Sequence, residues 1–229
     1  MIAHLPILQV IIPLMAAPIC LMLKRAQLVW LFSLIASGLA FAVSILLLQQ
    51  VMTSDVISYE LGGWQAPWGI EYRIDKLNAF LLLIISGIST VVLFAAQTSI
   101  EKEIPKDKHI YFYVLYLLSL TGMLGIVATG DAFNVFVFLE ISSLSAYALI
   151  AMGTKRQALW ASYQYLIMGT IGATFILIGI GLMYQMTGTL NMHDLSQRLP
   201  EVAQNRTVFA AFAFVIVGVC LKLAMFPLH

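Results

Sequence analysis

The feature that most constrains this chain is a series of long apolar stretches. Seven of them are long enough to span a membrane: roughly Leu5–Leu23, Leu28–Val51, Leu77–Ser99, Ile110–Ala128, Ala132–Met152, Leu159–Met186 and Val208–Phe226. Each reaches or approaches the ~20 residues that a bilayer core requires. In hydrocarbon a backbone amide has no water to bond, so such stretches span as helices that satisfy their amides internally. The composition agrees. Of 229 residues, 61% are hydrophobic and only 10% charged, too little charge to cover a soluble domain of this size. The expected fold class is therefore an all-α integral membrane protein with about seven transmembrane helices. A net charge of +1 offers no basic field for nucleic acid. Cys20 and Cys220 lie in apolar runs and form neither a disulfide framework nor a metal spacing. The first basic residue, Lys24, follows the first apolar run, whereas a cleavable signal carries its charge before that run. The first segment is expected to be a retained helix.

The connections set an expected orientation. With the N-terminus outside, the inner connections hold Lys24, Arg25, Lys102, Lys106, Lys108, Lys155 and Arg156. The outer ones hold Arg73, Lys76, Arg198 and Arg206. Seven basic residues against four favour N-out, C-in in a cytoplasmic membrane. Two outer connections are long. Within residues 53–75, two short alternating runs flank Gly62-Gly63 and Pro67-Trp68-Gly69, which predicts an extracytoplasmic β-hairpin. Trp64 and Trp68 belong at headgroup level. Residues 187–207 are polar and predict a short surface helix.

Ionisable groups inside spans are the sharpest functional signal, because each costs a few kcal/mol at the bilayer centre. Two are present. Glu140 lies two residues from the middle of its span, roughly 3 Å in depth, too deep to snorkel. Ser143 and Tyr147 follow at i+3 and i+7 on the same face, with Phe136 at i−4. That stripe suits a carboxyl group turned toward other helices or water. The structural alternative is an interhelical hydrogen bond. Lys222 lies roughly 7 Å from the middle of the last span, toward the inner face. Two readings of it stand side by side: an ammonium that snorkels to the interface, or one that works in the interior. Taken together the two residues say more. A carboxyl group isolated in hydrocarbon takes up a proton and an ammonium gives one up. Brought together they hold the charged pair, and their titration belongs to the pair. Glu140 and Lys222 are thus the expected proton-transfer residues, with Ser143, Tyr147 and Asp131 as water-path or supporting groups.

Asp131 follows Gly130 just before the fifth span and reads as its N-cap, or as a group that gathers cations at a channel mouth. Gln164, Ser162, Thr170, Thr174, Asn78, Ser86 and Thr121 either line a hydrated path or tie helices together. Gly169, Gly172, Gly179 and Gly181 let the sixth helix pack closely. His4, His109 and His193 sit at ends or in connections and read as interfacial. There is no phosphate loop, dinucleotide fingerprint, CxxC pair or bis-His helix spacing. No cofactor and no metal are expected.

The segments Asp131-Ala-Phe-Asn-Val-Phe-Val-Phe-Leu-Glu140-Ile-Ser-Ser-Leu-Ser-Ala-Tyr147 and Lys222-Leu-Ala-Met-Phe-Pro-Leu-His229, with the hairpin ending in Ile74-Asp75, resemble the antiporter-like subunits. These occur in Mrp-type multisubunit Na+/H+ antiporters, respiratory complex I and membrane-bound hydrogenases. The chain looks most similar to the D-type subunit of the Mrp antiporter. The resemblance implies a proton- or cation-translocating subunit in a bacterial cytoplasmic membrane, acting on H+ and Na+ beside other membrane subunits. It implies no bond-making chemistry, although a redox-driven complex could drive the subunit. In that family the Glu of the fifth helix and the Lys of a broken seventh helix form the coupling pair, which Glu140 and Lys222 match. Family members have about fourteen spans, including two inverted repeats. Against that plan, residues 1–108 form an N-terminal three-helix segment and residues 109–229 an incomplete repeat, truncated or split after His229. Two alternatives remain: an inactive assembly subunit, and a seven-helix receptor or retinal pump. The second is poorly served, since Glu140 is the only carboxylate in any span.

Overall fold

The computed structural model describes residues 4–23 and 25–226; Lys24 and the Pro227-Leu228-His229 end of the second motif lie outside the described residues. Helices α1 (Leu5–Met22) and α2 (Ala26–Ser54) precede a hairpin of β1 (Ile57–Glu60) and β2 (Glu71–Ile74). Then follow α3 (Lys76–Glu103), α4 (His109–Ala128), α5 (Ala132–Ala151), α6 (Arg156–Thr187), the short α7 (Met192–Val202) and α8 (Arg206–Lys222). Among the described residues, six helices, α1 to α6, are long and apolar enough to cross a membrane. Their outward residues, such as Val91, Phe94 and Ile88, are large, apolar and exposed, as a lipid solvent requires.

Helices α1 to α4 enclose two apolar clusters, one around Leu47, Leu82, Leu120 and Leu124, the other around Val29, Leu93, Tyr113 and Leu117. The hairpin pairs antiparallel, Ile57 opposite Ile74 and Glu60 opposite Glu71. Its start is later than expected: Thr53 and Ser54 extend α2, each hydroxyl donating to the Gln50 carbonyl. The predicted surface helix is α7. It begins at Asn191, whose side chain accepts from the amides of His193 and Asp194.

Helix α8 departs from the sequence expectation. Hydropathy predicts a continuous span to Phe226, but the helix stops at Lys222. Ala224 takes a positive φ of 49°, which a residue with a Cβ rarely adopts. The Leu223 and Ala224 amides fold back onto the carbonyls of Val219 and Leu221, and that of Met225 onto Cys220. Lys222 therefore ends a helix, where the basic charge also suits the helix dipole.

Glycines set the α6–α8 crossing. A Cβ on Gly218 would lie 2.6 Å from the Gly172 carbonyl oxygen, and one on Gly179 would lie 2.8 Å from that of Ala211. The two backbones touch, as small residues at membrane helix crossings permit. Gly181 does not take part: a Cβ there meets nothing within 4 Å. Gly218→Leu should cost roughly 1–3 kcal/mol through overpacking, whereas Gly181→Ala should be neutral or stabilising by up to about 1 kcal/mol. Unfolding of the two variants in mixed detergent micelles checks this; equal midpoints would contradict the crossing.

Candidate functional site

The site is built where α5, α6 and α8 meet. Helix α5 is clamped on one side by α4. A Cβ on Gly122 would lie 2.6 Å from that of Ser142, and Gly125 faces the Phe138 ring directly. With Phe138 and Ser142 held against α4, helical geometry turns Glu140, Ser143 and Tyr147 the other way. On that side the α6–α8 crossing brings up Lys222. Its Nζ donates to Glu140 Oε1 at 3.1 Å and to Ser143 Oγ at 2.9 Å. The two charged side chains retain only 12% and 22% of their exposure. The Lys222 side chain is turned toward α5 rather than outward.

Tyr147 closes the site on the α6 side. Its hydroxyl rests against Gly169, where any side chain would collide with it. It lies beside Ser143 but makes no well-formed hydrogen bond among the described residues. Ser162 Oγ donates to the Tyr147 carbonyl at 2.7 Å, and the Tyr165 ring meets the Tyr147 ring edge-on at 4.7 Å. Grooves lie on both sides of the pair. Toward the basic end, a groove of about 580 Å³ runs between α6 and the end of α8, lined by Gln164, Tyr165, Gly169 and Lys222 itself. Toward the hairpin, a cavity of about 360 Å³ is walled by Val135, Leu139, Ile176, Ile180, Val215 and Val219. The first is lined mostly by apolar side chains, Ile167, Met168 and Leu221 among them, with Gln164 and Lys222 as polar groups; the second is almost wholly apolar.

Asp131 is not part of this cluster. It caps α5, accepting from the Asn134 amide at 2.8 Å, nine residues and roughly 13 Å of helix from Glu140. Burial pushes its carboxyl group above the usual range, against backbone hydrogen bonds from Asn134 and Phe133 that lower it. Around it the three connections of the hairpin end are laced together. Tyr72 bridges to Thr129 and Asp131 to Asn191; the Gly130 amide donates to the Glu71 carbonyl and the Met192 amide to that of Gly130. Buried Glu71 accepts from Ser58 at 2.6 Å and from Asn191 at 2.8 Å.

The remaining candidates divide. Ser162 and Gln164 lie at the site, while Thr170, Thr174 and Thr121 bond carbonyls of their own helices. Asn78 ties α3 to the Val127 carbonyl. His109 is buried, its ring bonded to the Ile104 carbonyl, so the interfacial reading fails there: the ring stitches the α3–α4 turn. Sequence reasoning missed Glu71, whose burial depends on residues 120 positions away. It also missed a buried hydroxyl ladder in which Gln9, Ser44 and Ser86 bond in series and Ser37 meets Thr90. Ser33, Ser37 and Ser44, spaced along one face of α2, were the available signal.

Residues 129–229 match the family model described as NADH:quinone oxidoreductase/Mrp antiporter, TM. NADH-quinone oxidoreductase subunit N of Desulforudis audaxviator is 42% identical over 232 residues, covering 100% of this chain and 46% of that protein. The D-type subunit of the Na(+)/H(+) antiporter of Bacillus subtilis is 32% identical over 224 residues, covering 97% and 45%. Among solved structures, a chain of the membrane-bound sulfane sulfur reductase, an archaeal respiratory membrane complex, superposes with a TM-score of 0.88 at 33% identity, covering 100% and 46%. A chain of the Mrp complex from Dietzia, at 24% identity and a TM-score of 0.83, shows the same fold. The chain spans about half the length of the relatives it matches.

The buried cap gives a pH prediction. A carboxyl group raised by burial stabilises the fold while protonated. That stabilisation is present below its ordinary value and is lost as pH rises through the elevated folded one. Asp131→Asn keeps a capping oxygen without the charge. The stability of this variant relative to the parent should therefore rise as pH climbs from the ordinary carboxylate range through the elevated folded value, as thermal melting over a pH series would show. A constant difference would contradict the assignment.

Proposed function

The chain belongs to the family of antiporter-like membrane subunits shared by Mrp antiporters and complex I-type enzymes, and from that membership we propose that it moves protons through the Glu140–Lys222 pair as a subunit of a multisubunit monovalent cation/H+ antiporter. The observation that carries the proposal is the 3.1 Å contact itself, made in the apolar interior by the one carboxylate and the one lysine that fall inside the apolar stretches of the sequence. Two unit charges about 4 Å apart attract by about 4 kcal/mol at an effective dielectric of 20. That is comparable with the few kcal/mol each charge costs in the bilayer. The charged pair is thus held by proximity. Separation or added water changes which partner keeps the proton.

The surroundings suit such a switch. Ser143 gives the ammonium a second acceptor when Glu140 is neutral. The irregular segment after Lys222 lets the ammonium move without unwinding a helix. The groove beside Gln164 opens onto Lys222, and Tyr147 lies at the edge of the pair as a further hydroxyl. In this reading residues 1–108 brace the site, residues 109–229 form part of a translocating repeat, and other membrane subunits complete the path. The charge asymmetry of the connections supports N-out, C-in in a bacterial cytoplasmic membrane, with H+ and Na+ as the ions. A second reading places the chain in a redox-driven complex of the complex I or membrane-bound hydrogenase type, on the strength of the 42% identity to a quinone oxidoreductase subunit.

Glu140→Gln should abolish antiport or pumping in vesicles containing the assembled complex, with subunit stoichiometry unchanged; normal transport would remove the mechanism. Lys222→Ala should be equally inactive. Full activity of that variant in the assembled complex would instead favour an assembly subunit that does not translocate.

A further inference from the structure

The two ends of the bundle carry opposite charge. At the hairpin end the connections hold seven acidic residues against four basic; at the other end seven basic residues face three acidic. Near the basic end a groove of about 700 Å³ runs between the end of α3 and the turn joining α5 to α6. Lys102 and Lys155 stand on its rim with Thr154, and Glu103 is the one acidic side chain among the described lining residues. Neither lysine forms an ion pair among the described residues, so their charge is free. The wall below the rim is apolar, made by Phe112 of α4 and by Leu149 and Ile150 of α5. Ile150 is 38% exposed.

We propose that this groove seats an anionic phospholipid of the adjoining leaflet, its phosphate between Lys102 and Lys155 and an acyl chain along Phe112, Leu149 and Ile150. Three features select that occupant. The groove sits where spans give way to charged connections, at headgroup depth. Its polar rim is basic, and basic pockets between membrane helices hold anionic headgroups. Its lower wall is apolar, which a soluble anion would leave uncovered. A lipid satisfies both halves with one molecule, and at each basic side chain it gains roughly a fivefold preference over a zwitterionic lipid.

The test uses the chain with the subunits that co-purify with it, in vesicles of phosphatidylcholine with a minor fraction of phosphatidylglycerol. A photoreactive benzophenone side chain replaces Gln157, which lines the groove, and adducts are identified by mass. Phosphatidylglycerol should be enriched among them over its share of the membrane. Lys102→Gln with Lys155→Gln should return the ratio to that of the bulk. Lys106→Gln with Lys108→Gln, on the same face but outside the groove lining, should leave it enriched. Adducts at the bulk ratio in the parent, equal loss in both pairs, or adducts to a polypeptide would each overturn the proposal.

Discussion

An ammonium and a carboxylate held 3.1 Å apart inside an apolar bundle are the contact on which the rest of this architecture turns. Neither charge is tolerable alone at that depth. Breaking such a pair leaves an uncompensated charge that typically costs about 3–5 kcal/mol. The surrounding helices must therefore deliver both groups to one place. Glycine does most of that delivery. Gly122 and Gly125 bring α5 against α4 and turn the Glu140 stripe inward. Gly172, Gly179 and Gly218 draw α8 onto α6 until Lys222 reaches across.

Helix α8 shows how an apparent defect serves the site. Its backbone leaves helical geometry right after Lys222, through a positive φ at Ala224. Irregular backbone at membrane depth is stable only where protein or water satisfies it, and a groove opens at that point. The lysine thus sits at the junction of a helix, an irregular hydrogen-bonded segment and a groove. On the opposite side, valine, leucine and isoleucine side chains from α5, α6 and α8 separate the pair from the hairpin.

The hairpin end is knit by a different chemistry. Backbone bridges join β2 to the α4–α5 connection and that connection to the start of α7, and the buried Glu71 carboxylate ties Ser58 to Asn191. The N-termini of α5 and α7 are therefore set by the same cluster. Helix α5 carries Glu140, and α7 leads directly into the helix that carries Lys222.

Much was decided by the sequence alone. Apolar length dictated spanning helices, because hydrocarbon admits no other solution for the backbone. Alternation and turn residues placed the hairpin, and polarity placed α7. The cost of buried charge singled out Glu140, with Ser143 and Tyr147 beside it by helical period. What sequence alone left open was every relation between helices. It allowed Lys222 to point outward as readily as inward; only the Gly172–Gly218 contact turns it to Glu140. It gave Gly181 the same standing as Gly179, though one faces open space and the other a neighbouring backbone. Glu71 looked like an ordinary hairpin residue until Asn191, 120 positions later, closed over it. Periodicity along a chain is local and legible, whereas the meeting of distant faces depends on packing, which no single stretch of residues contains.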